Sequence, residues 1–351
     1  MSTTTRPRSR GGSRTRIGPG RRLAGLTPQG LPGTRTAVRR VLGRMFGPSK
    51  LDFERYDGDT GLLGPGCASW QVIAEPAAIA GGLRGLLLQV AHPLAMAGVH
   101  DHSAFREDPL GRLQRTSAYI TTTTFGSTQE ALRVTRIVRG VHPRVHGTAP
   151  DGRRYSADDP DLLAWVSIAL TSSFLVADGR WSPHPVTDGR ADAFVAEQSG
   201  IAALLDPRVD LTPFEHDEAA RDALRRGEVE LPLITDGLLP TTVDGLRRRL
   251  ADYVPDLGIN HQGREALSFL RRPPIPRVAR GGYRAMFGGA VASLHGPEAR
   301  ALDLEVGRTR ARALDTRASA FLTTMRLTTG VSPALELAEG RATRQSPPLD
   351  T

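Results

Sequence analysis

The sequence predicts an all-α protein, a single multi-helix globular domain. Three observations lead there. Apolar residues recur at i, i+3, i+4 and i+7 through most of the chain. Acidic caps followed directly by proline, Asp108-Pro109 and Asp159-Pro160, mark helix starts. No sustained period-two alternation and no Asn-Gly hairpin signal occur, and aromatic residues make up only 5% of the 351 residues, thin for a β-sandwich or barrel.

The elements follow in order. Pro76 to Val99 is the most apolar stretch, with Ile79, Leu83, Leu86, Leu87, Val90 and Leu94 at helical spacing and Arg84 as its sole charge. It predicts a buried helix, kinked at His92-Pro93. The pair Gly81-Gly82 predicts close approach of another backbone. Asp108 caps a helix running to about Thr124. Ser127 and Glu130 form a capping box for one running to about Val145. Pro160 opens an apolar helix containing Trp165, Ile168, Leu170, Phe174 and Val176. An amphipathic helix over 188–205, a weaker one over 211–226 and one over 242–253 capped by Thr241 or Thr242 follow. The last are 262–271 before Pro273-Pro274, then 276–294 and 307–329. The expected organisation is a disordered Arg-rich tail at 1–45, a helical domain at 46–330 and a loose C-terminal tail at 331–351.

The net charge of +9 resembles a nucleic-acid signal until it is mapped. Residues 1–50 hold 12 of the 46 basic residues and no acidic one, which leaves 34 basic and 37 acidic residues beyond them. The body is near neutral and the basicity belongs to the tail, so no specific nucleic-acid partner is expected. A solvated tail or a misassigned start accounts for the tail more simply than a binding arm. Arginine in place of lysine, with heavy Ala and Gly use, fits a GC-rich bacterial genome. The single cysteine, Cys67, excludes an internal disulfide and Cys-held zinc or iron–sulfur clusters within the chain. No 18-residue apolar run suggests a transmembrane helix. The Arg21-Arg22 pair lacks the apolar region of a secretion signal, so a cytoplasmic location is expected.

HExxH, P-loop, GxSxG and strand-borne GxGxxG patterns are absent. The chemistry-bearing residues are instead histidines and arginines on helix faces. Arg139, His142 and His146 lie at i, i+3 and i+7, one stripe bordering the apolar side formed by Val134, Ile137, Val138, Val141 and Val145. Such a setting suits an imidazole ligand to haem iron with cations for the propionates. Spacing alone favours a core-edge histidine bonded to a carbonyl. Arg112, Arg115, Thr116 and Tyr119 share a face of the preceding helix, which suits an anionic group or simply a solvated basic face. His100-Asp101-His102 would need a loop to act as a metal pair.

The ordered series of motifs resembles a known family. Leu88-Gln89-Val90-Ala91-His92-Pro93-Leu94-Ala95-Met96-Ala97-Gly98-Val99 is followed by His102-Ser103-x-Phe105. Gly111-Arg112-Leu113-Gln114-Arg115-Thr116 and Thr124-Phe125-Gly126 come next. Arg139-x-x-His142-x-x-Val145-x-Gly147, Tyr155-x-Ala157-x-Asp159-Pro160-Asp161-Leu162 and Phe269-Leu270-Arg271-Arg272-Pro273-Pro274 complete it. The series is similar to that of the rubber oxygenases and MpaB-type oxygenases, over about residues 50–330. The resemblance implies an all-α fold enclosing a pocket for haem b, with His142 as the axial iron ligand and Arg139 beside it. It implies Arg112 and Thr116 on the distal side as the catalytic pair that orients dioxygen bound to ferrous haem. Two positions depart from the family pattern. His146 stands where an arginine is usual, and Arg115 stands where a distal lysine ligand can stand, which leaves the sixth position open or filled by water or His92. The implied activity is a haem-dependent oxygenation of a small apolar substrate, isoprenoid or lipid-like, with dioxygen. A non-catalytic haem carrier or sensor fits the same residues, and a nucleic-acid-associated helical protein using the tail is a further alternative. Rubber itself does not fit a chain without a secretion signal.

Overall fold

The computed structural model describes residues 56–330 and 332–344, so the expected 1–45 tail lies outside the described residues. Apolar periodicity and caps produce helices where expected. In chain order they are α1 (Ala68–Ala74), α2 (Ala77–Ala91), α3 (Pro93–His102), α4 (Pro109–Phe125) and α5 (Thr128–Val141). A 3-10 turn, His142–Arg144, and a hairpin of β1 (His146–Thr148) and β2 (Arg154–Ser156) follow. Then come α6 (Pro160–Trp181), α7 (Asp188–Ala203), α8 (Thr212–His216), α9 (Glu218–Arg226), α10 (Pro232–Thr235) and α11 (Val243–Tyr253). The chain continues through α12 (His261–Arg271), α13 (Arg280–Ala292), α14 (Gly296–Ala301), α15 (Arg308–Thr329) and α16 (Pro333–Thr343).

The caps act as the sequence indicates. Asp108 accepts from the Gly111 N–H at 2.8 Å, Ser127 and Glu130 close a capping box, and Asp159 accepts from the N–H groups of Asp161 and Leu162. Thr242, not Thr241, caps α11. At His92-Pro93 the helix breaks outright. His92 is extended, and its Nδ1 caps α3 by accepting from the Ala95 N–H at 3.3 Å.

The centre of the molecule is α2 against α6. A Cβ on Gly81 would stand 3.0 Å from the Ser173 carbonyl oxygen, and one on Gly85 would stand 2.7 Å from Leu170 Cδ2. Close approach therefore uses Gly81 and Gly85, one turn apart on one face, whereas Gly82 faces open space. The helix α6 is long and apolar enough to cross a membrane, but most of it is buried in the core, with Trp165 and Ile168 inside. Arg84 is buried too. It donates to Ser173 Oγ at 3.0 Å and to the Glu298 carboxylate of α14 at 2.6 and 2.8 Å, a paired charge inside the fold.

Two expectations need correction. The segment after Gly330 is not uniformly loose, because residues 333–343 form α16. Its Arg341 is fully buried and donates to the carbonyls of Asp59, Phe125 and Gly126 at 2.7, 2.9 and 3.1 Å, the last two being acceptors left over at the end of α4. The chain also contains a β-hairpin, with His146 opposite Ser156 and Thr148 opposite Arg154, turned at Gly152 (φ 86°). Strands of three residues are too short to show alternation.

Candidate functional site

The helices α4 and α5 are joined by Gly126-Ser127 and pack against each other. Arg112 precedes that turn by about as many residues as His142 follows it. At roughly 1.5 Å rise per residue, both stand at the same end of the pair, about 20 Å from the turn. The α-helix stops at Val141 because Pro143 cannot continue it. His142 therefore sits at the first position of a 3-10 turn, with its carbonyl accepting from the Val145 N–H at 2.9 Å.

The His142 side chain is partly buried, and burial lowers its pKa from the ordinary 6.5, so it is neutral near pH 7. Its Nδ1 is buried with no hydrogen-bond partner among the described residues. A buried ring nitrogen without a partner costs free energy, and coordination or a bound ligand would remove that cost. Around it the apolar face of α5 is not covered by the described chain. Ile137 is 54% exposed, Val141 46% exposed, and Val134, Val138 and Val145 are half-buried.

Arg112 projects from α4 into the wall of a cavity of about 90 Å³. The wall is apolar, including Leu110, Leu113 and Phe269, with Gln89, Arg112 and Tyr283 as its polar side chains. Arg112 donates to Gln89 Oε1 at 2.9 Å and has no carboxylate partner among the described residues. Desolvation, and then Arg115, draws its pKa down from 12.5 to about 10. Tyr283 is committed to the Leu270 carbonyl at 2.6 Å. Drug-sized ligands take pockets of roughly 300–1,000 Å³, so this cavity admits a small molecule or an alkyl segment but not a macrocycle.

The other residues singled out by the sequence lie elsewhere or are already engaged. Thr116 stands one turn after Arg112 and donates its hydroxyl to the Arg112 carbonyl at 3.2 Å, which leaves its oxygen lone pairs free. Arg139 turns away from His142. It donates to the carbonyls of Leu204 at 2.7 Å, Val209 at 2.9 Å and Asp206, and so fastens the end of α7. Arg115 is exposed, 3.6 Å from the Asp108 carboxylate. His146 is exposed on β1, beyond the end of the helical stripe. His100 pairs with Asp101 at 2.9 Å, while the His102 ring meets the His146 carbonyl at 3.0 Å. No group of three His, Cys, Asp or Glu side chains among the described residues converges on a metal position.

His92 and His146 meet in a second, solvent-open cavity of about 760 Å³, rimmed by Arg153, Asp159, Asp161 and Asp256, which shares no residue with the apolar one. His92 is buried against Trp165, with ring centroids 5.1 Å apart, and its pKa falls to about 4, chiefly through desolvation. The neutral ring accepts at Nδ1 to cap α3, so the proton sits on Nε2. In that tautomer neither nitrogen offers a lone pair to iron, and His92 cannot be a sixth ligand without releasing the cap. Arg112 and Thr116 thus stand on α4 with Arg115 between them turned to solvent, and His142 stands at the same end of α5 but lines neither cavity, while Arg139 is committed to carbonyls and His146 and His92 lie at the other cavity. Sequence reasoning gave no site role to Gln89 or Tyr283. Their signal was available for Gln89 alone, which stands in the quoted Leu88–Val99 motif.

Among the described residues these features define an all-helical domain that carries a neutral, partly buried histidine and, apart from it, an apolar cavity walled by an arginine without a carboxylate partner. Residues 70–327 match the family described as "ER-bound oxygenase mpaB/B'/Rubber oxygenase, catalytic domain", and the chain belongs to that family, whose domain is an oxygenase catalytic domain. No curated protein and no solved structure matches the chain.

Proposed function

We propose that the chain is a haem b-dependent oxygenase acting with dioxygen on an apolar, isoprenoid- or lipid-like substrate. The observation that carries this reading is His142, a neutral, partly buried imidazole with an orphaned ring nitrogen, at the position where the motif resemblance implies an axial ligand. The donor set suits iron in a porphyrin. Such iron asks the protein for one or two axial ligands, whereas iron held by side chains alone would need a cluster not found among the described residues. The residues thus fit the group, and when bound it would supply the redox chemistry that activates dioxygen.

In this reading His142 holds the iron and the uncovered Val134–Val145 face supplies apolar contact. Arg112 presents a fixed cation to an anionic or polarised group, because no carboxylate competes for it. Thr116 offers hydroxyl lone pairs beside it and can donate by releasing the Arg112 carbonyl. The largely apolar cavity takes the carbon skeleton of the substrate. Arg139 acts as a positioning residue, tying α5 to the end of α7.

The test is dioxygen consumption by haem-reconstituted protein with a reductant and a panel of branched olefins and unsaturated lipids. Consumption matched by oxygenated product is expected, reduced at least tenfold in Arg112→Met. Haem-loaded protein that consumes no dioxygen with any member of the panel would instead support the carrier or sensor reading.

A further inference from the structure

The corner between α12 and α13 carries a charge pattern that the oxygenase reading does not use. From Ala266 to Pro297 the sequence has five arginines and no acidic residue. Arg271, Arg272, Arg277, Arg280 and Arg284 are all exposed, and among the described residues none of them forms an ion pair. The acidic side chains at this end are engaged elsewhere. Glu265 binds Arg106 at 2.6 Å, and Glu107 acts on the same arginine. Asp108 faces Arg115, Asp303 faces Arg264 at 3.7 Å, and Glu298 is buried on Arg84.

Between Arg277 and Arg280 stands Val278, 79% exposed, the most exposed large apolar side chain among the described residues. Its neighbours fix it there. Ile275 and Ala279 are buried, and the Tyr283 hydroxyl ties α13 to the end of α12 through the Leu270 carbonyl. Arg280 and Arg284, four residues apart on α13, share one face. Directly beneath this corner lies the apolar cavity, because Phe269, Leu270, Pro273, Ile275 and Tyr283 line it.

We infer that this corner is a membrane-docking surface that seats on anionic lipid headgroups. The five arginines meet lipid phosphates and Val278 enters the boundary of the acyl chains. A polyanion such as nucleic acid would satisfy the arginines but gives an exposed valine nothing to contact. A bilayer satisfies both, and it brings the apolar cavity to the surface from which a lipid-like molecule would enter. The inference stands on the patch and cavity alone, independently of whether haem binds.

The experiment is cosedimentation of the full-length chain with phosphatidylcholine vesicles, with and without phosphatidylglycerol, in 0.1 M salt. Each surface arginine contributes about fivefold to partitioning onto an anionic bilayer, so Arg277→Gln with Arg280→Gln is expected to weaken binding about 25-fold. The basic residues of 1–50 are present in every variant and act as a constant background. Val278→Cys labelled with an environment-sensitive fluorophore reports insertion. The label is placed in a Cys67→Ser background, so that Val278→Cys carries the only thiol of the chain. A shift of the fluorophore to an apolar environment on anionic vesicles is expected. Vesicle binding by the double variant within twofold of the unsubstituted chain overturns the inference. So does an unshifted fluorophore on bound vesicles, and so does a double variant that loses duplex DNA binding while keeping vesicle binding.

Discussion

Replacing Arg112 with methionine should stabilise the ligand-free protein while lowering the proposed oxygenase turnover at least tenfold. A pKa drawn from 12.5 to about 10 means that the folded state holds this cation less favourably than the unfolded chain does. At about 1.4 kcal/mol per pH unit the cost is about 3 kcal/mol, an upper figure. Methionine fills a similar volume and suits the apolar wall of Leu110, Leu113 and Phe269. The change also removes the bond to Gln89, worth about 1 kcal/mol. The net expectation is a gain of about 2 kcal/mol. For a domain of this size, with roughly 2.1 cal/mol/K of unfolding entropy per residue, that raises Tm by roughly 3 °C. Thermal unfolding of apo protein followed by circular dichroism, checked by urea midpoints, provides the assay. Arg112→Met unfolding more easily than the unsubstituted chain would refute the reasoning. It would show that Arg112 has a stabilising partner and is not held for a ligand.

The remaining predictions concern charge and packing. His92 is protonated at 6.5 when unfolded but near 4 when folded, so stability is complete above pH 6.5 and falls as pH drops through that window, by about 3 kcal/mol at the limit. His92→Asn keeps a cap acceptor and should flatten this slope in urea unfolding measured from pH 4 to 7. An unchanged slope would assign it to other groups. Arg84→Met leaves the buried Glu298 without its arginine, with only the His295 backbone N–H and ring beside it, and should cost about 3 kcal/mol, most of it restored by adding Glu298→Leu. A double-mutant cycle measures that coupling. Arg341→Met orphans the carbonyls of Asp59, Phe125 and Gly126 and should cost about 3 kcal/mol or more by denaturant midpoint, although the sequence alone reads its segment as a loose tail.

How much of this was legible in the sequence depends on how local the cause is. The long helices and their caps were, because Asp108, Ser127, Asp159 and Thr242 each act within three residues. The helix α16 was not, since it is held by Arg341 against carbonyls more than 200 residues away. The stripe of Arg139, His142 and His146 assumed a helix continuing past Pro143. The helix ends there, and His146 falls on a strand. Periodicity also gives a face but not the partner on it. Arg139 shares the face expected of it, yet its partners are carbonyls about 65 residues downstream, at the end of α7. For His92, the pattern predicts a proline kink but neither the full break nor the cap that fixes its tautomer.

The central claim is that His142 is the histidine that holds haem. Titration of haemin into purified protein, followed in the Soret region, tests it directly on the unsubstituted chain and on His142→Ala, His146→Ala and His92→Asn. A saturable Soret band lost only in His142→Ala is the predicted result. An unsubstituted protein that binds no haemin, or a band lost with His146→Ala or His92→Asn while His142→Ala retains it, would contradict the account.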